Sequence, residues 1–277
     1  MKYHFKELES REQYLDLTDE RETVVAEVRT CLKRSKRKTL LDIGAGDAKL
    51  AQMLQDLVKR YLAIESDADK ATMLRLQGIP IVEDRFPCSV EGMFDLILAS
   101  HSMPSNMEEH GEFLRASNKL LKPKGTFLGA IYDPLQADLS ALVESCGLQN
   151  PKFDNHWLAP FLVSFKQIGS VSVKTITTYL RSKDVTDILS ALMMVYSFGN
   201  QDEERKSKFQ ENSLLVAGYL GSRHFKNGVF TFPIHQVFIQ AAKPGGRLFF
   251  LTFFNFRYKR DLTLPFLAVL ALLQTTN

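Results

Sequence analysis

Residues 40–48 read Leu-Leu-Asp-Ile-Gly-Ala-Gly-Asp-Ala, an apolar run that ends in Gly-x-Gly and gives way to Lys49, Leu50, Met53, Leu54 and Leu57 at helical spacing. A buried strand must stop at the first glycine and a helix must start just past the second. The turn between them lets backbone come very close to whatever lies beyond the strand's end. A second short apolar run closes on an acid, Glu65. A nucleoside-bearing ligand is the expected occupant of such a turn.

Spacing narrows its chemistry. A dinucleotide fingerprint wants a third glycine three residues after Gly46, where this chain has Lys49. A phosphate-binding P-loop wants Gly-Lys-Ser/Thr at the helix start, and here Gly46 is followed by Asp47. What remains is a turn carrying acids at Asp42 and Asp47, which repels a pyrophosphate and suits a ligand bearing positive charge. S-adenosylmethionine, with its sulfonium and ammonium, is such a ligand.

With these residues in view, the chain resembles the class I, Rossmann-like S-adenosylmethionine-dependent methyltransferases. Their first motif, hydrophobic-Asp/Glu-x-Gly-x-Gly, is matched by Leu41-Asp42-Ile43-Gly44-Ala45-Gly46, and the acid ending their second strand by Ala63-Ile64-Glu65. Phe94-Asp95-Leu96-Ile97-Leu98-Ala99 resembles the fourth strand, and Leu120 to Leu128 the helix end, turn and fifth strand after it. All four fall in the family's order across residues 39–133. The resemblance implies a cofactor site of Asp42, Gly44, Ala45, Gly46, Glu65, Ser66, Asp84, Arg85 and Ser100. In that site the glycines pass beside the methionine part, Asp42 orients the turn or reaches the ammonium through water, and Glu65 accepts from the ribose hydroxyls. The adenine contact falls on Asp84 among the residues after the third strand, with Phe86 as a flank to the ring.

Apolar runs at 39–44, 60–65, 79–83, 94–99 and 125–132 alternate with helical patterns, which implies right-handed crossovers and a parallel sheet. The fold expected is α/β and doubly wound. Its mostly parallel seven-stranded sheet has an antiparallel final strand, an N-terminal helical cap and a two-helix insertion. By composition shifts the chain divides into a cap (1–38), a cofactor-binding domain (39–242) with a helical insertion (181–225) lying over the cleft, and an apolar extension (243–277).

The layout beyond the fifth strand also resembles that of histamine N-methyltransferase-like small-molecule enzymes. By that resemblance polar residues of the cap, of the fourth strand's end and of the closing strand face an amine acceptor, here Glu20 (or nearby Asp19), His101 and His235. His101 is the catalytic candidate, since a neutral imidazole at the sheet's functional edge can take a proton from an amine. His235 departs from the amide side chains of those enzymes. Glu20 has an alternative reading as a solvated acid at a helix entry. Tyr3 and Tyr14 close the cleft in this scheme, and Trp157 packs under the cap.

A net charge of +3 with acids and bases interspersed gives no nucleic-acid footprint, and no Asn/Asp-Pro-Pro-Tyr/Phe stands where Ser100-His101-Ser102-Met103 follows the fourth strand. The basic run 33–38 is read first as cations complementing a helix C-terminus. Three scattered cysteines without paired histidine spacing fit a reduced, cytoplasmic setting and no metal site. The apolar stretches of the tail fall short of the about 18 residues of a membrane span. They are read as elements packed on the core or on a second subunit, with membrane-surface contact as the lesser alternative. The expectation is a monomer or homodimer acting on a small-molecule acceptor. Protein or RNA methylation, or a non-catalytic cofactor-binding domain, stand as alternatives.

Overall fold

A computed structural model describes residues 11–32, 38–133, 136–148, 155–197 and 202–245, with the side chains of residues 12 and 155–159 left out. Tyr3, residues 33–37 of the basic run, the Trp157 side chain and the tail beyond Gly245 lie outside these. The elements in order are α1 (Arg11–Asp16), α2 (Glu20–Leu32), β1 (Thr39–Ile43), α3 (Ala48–Gln55), β2 (Arg60–Glu65), α4 (Ala68–Leu76), β3 (Ile81–Glu83) and β4 (Phe94–Ser100). There follow α5 (Met107–Leu120), β5 (Leu121–Tyr132), α6 (Ala137–Ser145), α7 (Asn155–Ser164), β6 (Ser170–Ser182), α8 (Val185–Tyr196), α9 (Glu203–Glu211), α10 (Ser213–Arg223), β7 (Phe225–Lys226) and β8 (Val229–Ala242).

The strands form one sheet in the order β3-β2-β1-β4-β5-β8-β6, with the two-residue β7 added to β8. It is mixed, mostly parallel and flanked by helices. The pairings β1–β2, β1–β4, β2–β3 and β4–β5 are all parallel, and β7 meets β8 antiparallel. Leu40, Leu41 and Ile43 of β1, and Phe94, Leu96, Ile97, Leu98 and Ala99 of β4, are all buried, as strands covered on both faces require. Asp95 takes up the start of β1, accepting from the Thr39 amide at 2.9 Å and from Lys122 Nζ at 2.8 Å.

Four details depart from the sequence pattern. The third strand is shorter than 79–83, because Pro80 has no N–H to give and serves only as acceptor for the Ala63 amide. The fifth strand starts earlier, at Leu121, and its register on β4 jumps from Phe94↔Leu121 to Leu96↔Thr126 across a bulge where Lys124 has φ +64°. The insertion holds three helices instead of two: Asn212 ends α9 and precedes α10, and the Ser213 hydroxyl bonds back to the Gln210 carbonyl, a local bond typical of helix ends. An eighth strand, β7, joins β8 through Asn227-Gly228, both at positive φ, the backbone that a two-residue hairpin demands.

The chain divides into two compact units. Of the described residues, one holds those of 11–24, 132–148 and 175–236. Its core joins Tyr14 and Leu15 to Leu139, Leu142, Leu192, Met193, Tyr196, Phe209, Phe232 and Ile234, among others. Of the described residues, the other holds those within Val25–Ile131, residues 155–174 and residues 237–245. It is built round β1 to β4 and an aromatic cluster of Phe86, Phe113, Phe127, Phe161 and Phe165. His110 stacks on Phe161 in this cluster, and burial pushes its imidazole down to about 4, so it stays neutral at physiological pH.

Candidate functional site

The second unit assembles the candidate site at the C-terminal ends of its parallel strands. β1 stops at Ile43 because Gly44 turns the chain with φ +69°, and the amides of Gly44 and Ala45 both donate to the Ile64 carbonyl of β2 at 2.8 and 3.2 Å. Gly46 follows at φ +49°, and its amide donates to Glu65 Oε2 at 2.9 Å. The other oxygen, Oε1, accepts from the Asp67 amide at 2.9 Å. One carboxylate thus fastens the glycine turn to the entrance of α4, and Glu65, 8% exposed, is no solvated loop acid. Asp47 and Asp67 cap α3 and α4, accepting from Lys49 and from Asp69 and Lys70.

The two glycines have different duties. A Cβ on Gly44 would overlap that of Ser102, whose hydroxyl bonds the Ile43 carbonyl, so Gly44 lets the loop after β4 seat on the turn. A Cβ on Gly46 would find ordinary contacts: Glu65 Oε2 at 3.6 Å, Gly44 O at 3.8 Å and Lys70 Cδ at 3.9 Å. A methyl group would fit over Gly46, in contact with a carboxylate and the stem of a lysine.

Asp42, 2% exposed, accepts from Tyr61 Oη at 2.7 Å. Burial pushes its carboxyl up to about 7; the Tyr61 bond works against this, and the charges of Glu65 and Asp47 add to it. Asp42 thus favours its neutral form, enclosed beside the carboxyl groups of Glu65 and Asp47.

Asp84 lies beside Glu65, its amide donating to the Glu65 carbonyl at 3.1 Å, while its carboxylate accepts from the Arg85 amide at 2.7 Å. The Arg85 guanidinium pairs with Glu109 at 3.0 Å, exposed to solvent. Phe86 is buried edge-on against Phe113, 5.0 Å between centroids, which makes it a packing residue. Ser66 is exposed just past Glu65. Ser100 ends β4 opposite Ala130, and His101 follows in the left-handed region at φ +55°, its amide donating to the Ala130 carbonyl at 2.8 Å. The structure thus gathers Asp42, Gly44, Ala45, Gly46, Glu65, Ser66 and Asp84 at the ends of β1 to β3, with Ser100 and His101 at the end of β4.

No family model matches the chain, and no curated protein matches it. Among solved structures it is similar to the YcgJ protein of Bacillus subtilis, at 14% identity and TM-score 0.49, covering 81% of this chain and 100% of that one. It is similar to the N-methyltransferase NodS of Bradyrhizobium japonicum, at 11% identity and TM-score 0.45, covering 81% and 96%. A third is a phosphoethanolamine N-methyltransferase of Haemonchus contortus with S-adenosylhomocysteine bound, at 14% identity and TM-score 0.44, covering 80% and 52%.

Glu20 and His235 belong to the other unit. Glu20 opens α2 but is 2% exposed, which corrects its reading as a solvated helix-entry acid: it pairs with Arg11 Nη2 at 2.5 Å and accepts from Tyr132 Oη at 3.2 Å. Asp19 accepts instead from the Tyr179 amide and from Arg181. His235 has Nε2 at 3.0 Å from Asp138 Oδ2 and Nδ1 at 3.3 Å from Thr177 Oγ1, while its amide donates to Gln136.

Sequence reasoning missed Tyr61, Ser102, Arg11 and Asp138. Tyr61 had a signal, since a tyrosine in one buried strand and an aspartate in its neighbour are natural diagonal partners. Ser102, Arg11 and Asp138 act across turns that no local pattern fixes. Among the described residues no cluster of His, Cys, Asp or Glu is disposed to hold a metal ion, and no helix is long and apolar enough to cross a membrane.

Proposed function

We propose that this chain is an S-adenosylmethionine-dependent methyltransferase acting on a small-molecule acceptor, an amine nitrogen before an oxygen. The observation that carries this is the Glu65 carboxylate, held at the end of β2 by the amides of Gly46 and Asp67 beside a positive-φ glycine turn. A side chain so fixed keeps further lone pairs on both oxygens for ribose hydroxyls. The carboxyl groups of Asp42, Asp47 and Glu65, gathered about the turn, suit a ligand that carries a sulfonium and an ammonium. Asp84 and Ser66 stand beside Glu65 on the adenine side of this scheme. Its amine acceptor, including the histamine N-methyltransferase-like type, draws its support from the sequence pattern.

The cofactor supplies an electrophilic methyl group. The chain's share is positioning: because the displacement runs in line, holding a nucleophile at the right distance and angle gives most of the acceleration. Glu65 and the main chain of the glycine turn fix the adenosyl end. His101, the first residue past β4, is the proton acceptor toward an ammonium acceptor, which must lose its proton before its lone pair can react. The test is a transfer screen with methyl-labelled cofactor against amines, phenols and bulk macromolecules. Label in small amines supports the reading; label only in protein or RNA, or in nothing, overturns it.

A further inference from the structure

The second unit carries a basic edge at the end of the sheet opposite the candidate site. Thr39 of β1 lies level with Arg60 of β2, and Phe94 of β4 with Leu121 of β5, so the residues about them share the N-terminal ends of the strands. Lys38 and Lys122 grip Asp95 from two sides, at 3.2 and 2.8 Å, with side chains 41% and 37% exposed. The Lys59 amide donates to the Lys38 carbonyl at 2.9 Å, and Arg60 lies 5.2 Å over the Phe94 ring with one nitrogen on the Glu91 carbonyl. Lys59, Arg60 and Lys124 are exposed. The acids set among them are Asp56, Glu91 and Asp95, and Asp95 is already paired with two lysines.

The chain leaves the sheet at this same edge. Lys243 donates from its amide to the Gly125 carbonyl, and from its ammonium to the carbonyls of Asn118 and Leu121 at 2.6 and 2.9 Å. The Lys124 stem lies against Gly245, where an added Cβ would meet Lys124 Cε at 2.5 Å. The sequence beyond has Arg247, Arg257, Lys259 and Arg260 against one acid, Asp261. Phe249-Phe250-Leu251-Thr252-Phe253-Phe254 and the uncharged stretch 264–273 supply apolar side chains. Basic residues beside aromatic ones suit an anionic lipid surface, where charges meet headgroups and rings enter the interface. A nucleic acid would engage the same cations and rings, but it offers no apolar medium for Leu264, Leu267, Leu270 and the other aliphatic side chains of that stretch. A bilayer does.

We propose that this basic edge and the tail after Gly245 form one docking surface for an anionic phospholipid bilayer. The lysines and arginines meet the headgroups, and the apolar side chains of the tail enter the interface without spanning it. The candidate site stands at the other ends of the same parallel strands, clear of the lipid. The proposal stands or falls without the methyltransferase reading. A tail packed on the core or on a second copy makes the opposite forecast: no vesicle takes up the chain, and the basic edge has no bearing on its state.

The experiment is co-sedimentation of the full chain with vesicles of phosphatidylcholine, alone or with about one-third phosphatidylserine. The chain is expected to bind the mixed vesicles at least about tenfold tighter than the neutral ones, and to come off as sodium chloride rises. Lys59→Gln with Lys124→Gln removes two exposed cations and keeps most of each stem. The pair should weaken binding about twentyfold, since each cation near such a surface is worth about fivefold. Phe253→Ser with Phe254→Ser should weaken it by about tenfold or more at unchanged charge. Thermal midpoints equal to that of the parent show that the variants are folded; where the phenylalanine pair does not fold, Leu267→Ser is read in the same way. A parent that stays in the supernatant, equal uptake on the two vesicle types, or binding indifferent to either set of substitutions overturns the proposal. So does tighter binding to single-stranded polyuridylate at the same salt, which would mark the surface as one for nucleic acid.

Discussion

Asp42 makes a sharp demand on the pH dependence of stability. Its carboxyl is fully enclosed and pushed up from 3.8 to about 7, chiefly by burial. The folded chain therefore binds this proton more tightly than the unfolded chain does. The stabilisation that the proton provides is fully present below pH 3.8 and is lost as pH rises through about 7. The span from 3.8 to 7, at about 1.36 kcal/mol per unit, amounts to about 4 kcal/mol. Asp42→Asn keeps an oxygen to accept from Tyr61 and cannot ionise. The difference in unfolding free energy, variant minus parent, is expected to climb by about 1.4 kcal/mol per pH unit above pH 5 and level off past pH 7. Urea unfolding at half-unit steps from pH 5 to pH 8 measures it. A difference that stays flat across that range would mean that Asp42 ionises as freely folded as unfolded, and that its burial carries no such cost.

Tyr61→Phe removes the hydrogen bond that favours the Asp42 carboxylate, so the same titration should show the window moved upward by about one pH unit, from a bond of about 1.5 kcal/mol to a charged group; an unmoved window would mean the bond contributes nothing. Gly44→Ala carries both the left-handed backbone and a clash with Ser102, and should cost about 2–5 kcal/mol in urea unfolding. Gly46→Ala carries the backbone term alone, about 1–2 kcal/mol, and equal losses in the two variants would contradict the packing of Ser102 on the turn.

Much of the cofactor-side geometry was legible because it is local. An apolar run cut by Gly44 and Gly46 leaves little choice but a strand, a turn and a helix, and an acid ending the next parallel strand falls beside that turn by the logic of the βαβ unit. The roles of individual atoms were less legible. Gly44 reads like a ligand-facing glycine, yet the residue against it is Ser102, nearly 60 positions on and placed by a parallel crossover. Glu20 reads like a surface acid because Glu22 and Arg21 follow it, but its burial depends on Arg11 and Tyr132, whose approach no periodicity encodes. The split of the insertion at Asn212 was visible only as a polar pair, Asn212-Ser213, inside an otherwise helical pattern.

On the proposed function, the turn from Gly44 to Gly46 and the Glu65 carboxylate hold an adenosyl sulfonium. Calorimetric titration of the full chain with S-adenosylmethionine and with S-adenosylhomocysteine, run beside Glu65→Ala, decides it. Saturable one-to-one binding of both compounds is expected, weakened in the variant by about one to two orders of magnitude, the worth of hydrogen bonds to a charged group. A folded parent chain that takes up neither compound, or a variant that binds as tightly as the parent, would contradict it.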